Sequence, residues 1–239
     1  MKTKSFVPQL RKILMSAAAV CILSTGTAYA AEITDITMFG WEALPQETRG
    51  YFEAGIKDIP DEVIKLYALK GGKVHFMDGV LASDGHEEPA VRGLYWIKDH
   101  KIELAVGEDR EPAYIQITAA HEFGHFLYSM TYSQWSDQSK EQLKNNFAYW
   151  SQYTFDCTDE RETFAYLYSM YRAINDPYLS RECIAMLQEA EDICSWTYSR
   201  FISGEVIGPG MILEWQEKTE AGDPAPDLEA GPAAQNSAG

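Results

Sequence analysis

The sequence predicts an α+β fold, with a small N-terminal sheet and a helix-rich C-terminal part. Three observations predict it. A strand–turn–strand pattern occupies residues 93–106, and helical patterns follow one another from residue 112 onward. The chain of 239 residues is 46% apolar and 13% aromatic, enough for one buried core.

Taken in order, Leu44, Tyr51, Phe52, Ile56 and Ile59 recur at helical spacing. A second short helix opens at Pro60, where proline suits the first turn and Asp61 and Glu62 suit the positive end of the dipole; it ends at Gly71-Gly72. Lys73–Met77 reads as a strand, and Asp78–Pro89, with its Asp-Gly pairs, as a loop. Gly93–Ile97 and Lys101–Val106 then form a hairpin joined by Lys98-Asp99-His100. Helices are predicted over Pro112–Met130, Asp137–Trp150, Asp159–Ile174 and Leu179–Phe201.

The first thirty residues hold Lys2, Lys4, Arg11 and Lys12 and no acid, then an apolar run from Ile13 to Leu23 and the small-x-small Ala28-Tyr29-Ala30. This is the pattern of a secretory signal cut before Ala31, with an apolar run too short for a comfortable span of about 20 residues. The chain is thus expected to divide into a signal peptide (1–30), a folded domain (31–216) and an acidic Ala/Gly/Pro tail (217–239) without apolar period, read as disordered. A secreted protein follows, with no stable membrane association after cleavage.

Without the leader, 16 basic residues face 36 acidic ones, a formal charge of −20. Such a surface repels phosphate backbones and anionic headgroups, so nucleic acid is excluded as a natural partner. Cys157, Cys183 and Cys194 are too few, and odd in number, for a disulfide scaffold. Cys183 and Cys194 fall about 16 Å apart if they share one straight helix, beyond the reach of a bridge.

Chemistry concentrates in His121-Glu122-Phe123-Gly124-His125, an H-E-x-x-H inside an apolar helical stretch. Residues four apart share a helix face, so the two imidazoles can meet at one Zn²⁺, with nitrogens at about 2.0–2.1 Å. Glu122 falls beside the ion rather than on it, placed to take a proton from an attacking water and pass it to the leaving amine. Zinc lowers the pKa of water from 15.7 toward about 7. Chance would produce the motif about once in a hundred sequences of this composition. Gly124, costly in mid-helix, marks the close approach of another element.

A catalytic zinc wants a third protein ligand. No histidine follows His125, which points to a downstream carboxylate. Thr158 to Tyr166 opens a helix with Thr158 as N-cap and acids in its first turn, but spacing alone does not choose between Glu160 and Glu162. Glu141 is a weaker candidate.

The first motif, together with Thr158-Asp159-Glu160-Arg161-Glu162-Thr163-Phe164-Ala165, resembles the anthrax lethal factor-like zinc metallopeptidases, a family that includes small secreted Pro-Pro endopeptidases. The resemblance implies a zincin-like fold, Glu162 as the third ligand, and cleavage at proline-containing sites. It also implies a tyrosine before that glutamate as oxyanion donor. Tyr153 is the nearest match, two residues farther away than the family pattern, which leaves Phe155 at the expected spacing. A family glutamate one turn after the ligand, able to hold a zinc-bound histidine, is Tyr166 here. Substrate would lie antiparallel to an edge strand preceding the active-site helix, for which Lys101–Val106 is the candidate.

The expectation is a secreted zinc metalloendopeptidase acting on a protein or peptide substrate with one Zn²⁺ per chain. His121, His125 and Glu162 are the metal ligands, Glu122 the general base and then acid, and Tyr153 the oxyanion donor. Two other classes stay open: an exported zinc-binding protein without peptidase activity, and a binding or adhesion module whose H-E-x-x-H is accidental. A thermolysin-like peptidase would use Glu141 instead.

Overall fold

A computed structural model describes residues 36–78, 81, 92–107 and 113–204. The expected signal peptide, the expected tail and most of the Asp78–Pro89 segment expected as a loop lie outside these residues. Strands β1 (Thr37–Phe39), β2 (Lys73–Asp78), β3 (Gly93–Trp96) and β4 (Lys101–Val106) form one sheet in the order β1-β2-β4-β3. β1 pairs with β2, and β2 with β4, in parallel, whereas β3 pairs antiparallel with β4 through the predicted hairpin. Its turn is closed by His100 in the left-handed region (φ 45).

Alternation decides the buried face. Val74 and Phe76 of β2 and Ile102 and Leu104 of β4 are buried, while Lys73, His75, Lys101 and Glu103 between them are not. Each such apolar side chain contributes about 1.5–3 kcal/mol. β4 is therefore an internal strand, flanked by β2 and β3, and the expectation that Lys101–Val106 offers a free edge is corrected. Among the described residues the edges are β1 and β3.

Helices α1 (Gln46–Ile56), α2 (Asp61–Leu69) and α3 (Ala113–Thr131) supply most of the cover. Tyr67 of α2 packs edge-on against Phe123 and Phe126 of α3, with ring centroids 5.0 and 5.1 Å apart. Its hydroxyl donates to the Lys73 carbonyl at 2.6 Å, tying α2 to the start of β2. β1 is too short, at three residues, to show a period.

After α3 the chain is helical. α4 (Asp137–Trp150) is capped by Ser136, whose side chain accepts from the Ser139 N–H. α5 (Glu160–Ser169) is capped by Asp159 rather than the expected Thr158, because the extended Asp159 backbone lets its Oδ1 accept the Glu162 N–H at 2.8 Å. The predicted single helix to Ile174 loosens into a π turn at Met170–Ile174, ended by Asn175 in the left-handed region. α6 (Arg181–Ile202) runs without a break. Cys183 and Cys194 sit on it as buried free thiols, as does Cys157 before α5. The buried Glu191 of α6 accepts from Tyr168 Oη at 2.9 Å and from the Arg172 guanidinium, holding α6 to the π turn.

The α3–α5 crossing is set by Gly124. A Cβ there would stand 2.9 Å from Ala165 Cα and 3.1 Å from Tyr168 Cβ. Gly124→Val is expected to lower unfolding stability by about 2–3 kcal/mol by overpacking. Urea denaturation measures this, and an unchanged midpoint would refute close packing as the reason for glycine.

Candidate metal centre

Buried Ala119, Ala120, Phe123, Phe126 and Leu127 sink α3 into the core and leave His121 and His125 together on the face toward α5. Their rings lie 4.6 Å apart and nearly perpendicular. Across the Gly124 contact, Glu162 presents Oε2 to His121 Nε2 at 3.4 Å and to His125 Nε2 at 3.3 Å. One donor atom from each residue lies within 4.8 Å of the others. Tetrahedral donors about 2.0–2.1 Å from an ion stand about 3.3–3.4 Å from one another, and the two approaches of Glu162 match that spacing.

The rest of α5 fixes that carboxylate. The Asp159 cap sets the first turn, and Arg161 approaches the second Glu162 oxygen, Oε1, at 3.5 Å. Burial alone would raise the Glu162 carboxyl, but hydrogen bonds and charge from the two imidazoles hold it well below the usual carboxylate range. Burial likewise works against a charged His121, yet Glu162 and Glu122 raise its pKa. The three donors thus form an electrostatically coupled group, with the carboxylate ionised.

Glu122 stands apart from the three donors and is only 3% exposed. Burial raises its carboxyl pKa, and the neighbouring His125 and His121 only partly offset this. Its carboxylate lies against β3: a Cβ on Gly93 would come within 2.4 Å of Glu122 Oε1 and 2.5 Å of Thr118 Cγ2. Gly93 was not singled out from sequence, although a glycine in a strand does signal close approach by another group.

The remaining candidates separate. Glu160 is 3.5 Å from the Tyr132 hydroxyl, and the exposed Glu141 pairs with Lys144 at 3.7 Å, so neither joins the donor group. Tyr153 is 58% exposed in the turn after α4, with its ring on Tyr149 at 4.9 Å, and among the described residues no hydrogen bond or ring contact links it to His121, His125 or Glu162. Phe155, at the spacing where the resemblance expects tyrosine, is 99% exposed and carries no hydroxyl. Tyr166 packs its ring against Trp150. The buried Nδ1 of His125 has no hydrogen-bond partner among the described residues, so neither Tyr166 nor Glu160 supplies the orienting bond.

No family model matches the chain, and none of the curated proteins compared with it matches significantly.

Proposed function

We propose that the protein is a secreted, zincin-like zinc endopeptidase of the lethal factor-like kind. The observation that carries this is the convergence of His121, His125 and Glu162 on one point, with a buried glutamate, Glu122, beside that point and under an open strand edge. Two imidazole nitrogens and one carboxylate oxygen are the donor set of the catalytic zinc sites in which one position is left for water or substrate. Zinc held there would supply Lewis-acid polarisation and a nucleophile at neutral pH.

The chain's own residues supply the rest. Among the described residues β3 is an edge strand, the position at which an extended peptide can add as an antiparallel strand. Gly93 keeps that strand bare where it passes Glu122. Glu122, with its raised pKa, takes the proton from the attacking water and returns it to the leaving amine. Among the described residues Tyr153 packs on Tyr149 and no hydrogen bond or ring contact joins it to the three donors, while Phe155 carries no group that donates a hydrogen bond.

That same arrangement favours a second reading, a zinc-binding protein without hydrolysis. The two readings are separated by incubating the purified, zinc-loaded protein with a mixed peptide library rich in proline and reading cuts by mass spectrometry. Cuts that disappear on chelation and return with zinc support the peptidase. One bound zinc and no cuts in any pool would support the second reading.

A further inference from the structure

The contact between β3 and α3 at Glu122 continues toward the N-terminus of α3. Gly93 touches both Thr118 and Glu122, and Thr118 donates back to the Tyr114 carbonyl at 2.8 Å. Tyr114, Thr118 and Glu122 are spaced four apart and so lie in one row. The residue before Gly93 is Arg92, whose backbone carbonyl accepts from the Ala105 N–H at 2.9 Å, so it continues β3 at the open edge. Its guanidinium lies over the Tyr114 ring, 3.6 Å from the centroid. Arg92 is exposed, and among the described residues no carboxylate pairs with it. An arginine stacked on a ring keeps its N–H edge free in a fixed plane, the geometry that grips a carboxylate through two hydrogen bonds.

Direction and distance follow from the same residues. β3 runs from Gly93 at Glu122 to Tyr95, whose hydroxyl lies 3.3 Å from Ser129 Oγ, near the far end of α3. A peptide antiparallel to β3 therefore travels from the Tyr95 end to Gly93 and on to Arg92. Its residues after the cut reach the guanidinium. Tyr114 precedes Glu122 by eight residues, about 12 Å along the helix, and an extended peptide covers that in three to four residues.

We propose that Arg92, held by Tyr114, is a subsite for a substrate carboxylate two to four residues C-terminal to the scissile bond, supplied by an acidic side chain or by the peptide's own C-terminus. The proposal rests on the peptidase reading. In a chain this acidic, a fixed arginine gives a position-specific preference rather than a general attraction to acidic proteins.

The test is a library of extended peptides with Asp, Glu, Asn or Gln at each position after the cut, made with free and amidated C-termini. Wild-type protein is expected to cleave peptides with an acid in that window at least about tenfold faster than their amide counterparts, the factor one charge-assisted hydrogen bond supplies. A preference for free over amidated C-termini alone would assign the carboxylate to the terminus. Arg92→Gln and Tyr114→Leu are each expected to bring the ratio close to one. Peptide binding to Glu122→Gln by calorimetry should show the same discrimination without turnover, lost in the Glu122→Gln, Arg92→Gln double variant. Cleavage with no acidic preference, or a preference unchanged in Arg92→Gln, overturns the subsite and leaves the peptidase reading standing. Absence of cleavage from every pool overturns both.

Discussion

Glu122→Gln is expected to abolish peptide hydrolysis while the protein stays folded and keeps its metal. The substitution preserves shape and leaves His121, His125 and Glu162 in place; it removes the group that accepts the proton. General-base catalysis contributes typically about 10²–10⁴-fold, so kcat is expected to fall by at least that range, with KM little changed. The burial that raises the Glu122 pKa also penalises the charged side chain, so an uncharged isostere should not destabilise the fold. The assay is turnover of a peptide cut by wild type, beside zinc content by mass spectrometry and a thermal melt on the same preparation. Full activity in Glu122→Gln would remove Glu122 from the mechanism. Loss of both activity and zinc would instead make it part of the metal site, against the geometry, which keeps it apart from the three donors.

Much of the frame was legible because its signals are local. The helix pairs flanking the sheet strand, the hairpin and the four later helices announce themselves by apolar period, turn residues and proline position, and the structure places them within a few residues of expectation. The two histidines that could hold a metal on α3 were equally plain, since i and i+4 on one helix require no knowledge of tertiary structure. The free, buried thiols agree with a cysteine set unsuited to a disulfide scaffold.

What stayed hidden depends on neighbours distant in sequence. Spacing alone could not choose between Glu160 and Glu162; the Gly124–Ala165 contact sets which face of α5 meets α3 and so brings Glu162 to the two imidazoles. The error over β4 has the same origin. A hairpin pattern shows that two strands pair, but not which of them β2 joins from the other side, and β2 pairs in parallel with β4, past β3 in the chain, rather than with its sequence neighbour. Tyr153 illustrates a different limit. A tyrosine near the right distance from a ligand looks usable in one dimension, yet the turn after α4 turns it against Tyr149. The exposed Phe155 beside Asp156, whose charge reaches His121, then becomes the residue nearest that role by spacing, with no hydrogen bond to offer.

Glu162→Ala is expected to cost zinc itself, and activity with it. The substitution removes one of three protein donors and leaves two imidazoles, so affinity should fall by more than the 10–100-fold that loss of an outer-shell partner costs. A thermal melt reads this without any substrate. Zinc that binds only the folded protein stabilises it by about 2.7 kcal/mol at a hundred times its Kd, so wild type should melt higher with added zinc and lower after chelation, and Glu162→Ala should show neither shift. Glu141→Ala, which removes an exposed partner of Lys144, should keep the wild-type response. The converse pattern, zinc lost in Glu141→Ala and kept in Glu162→Ala, would assign the ligand to α4 and require α4 to move against α3. No zinc-dependent shift in wild type would make the H-E-x-x-H an accident of an exported binding module. The 3.3 and 3.4 Å approaches of Glu162 to both imidazoles are what a shared ion would require, and the melt decides whether an ion or the imidazole protons hold that carboxylate.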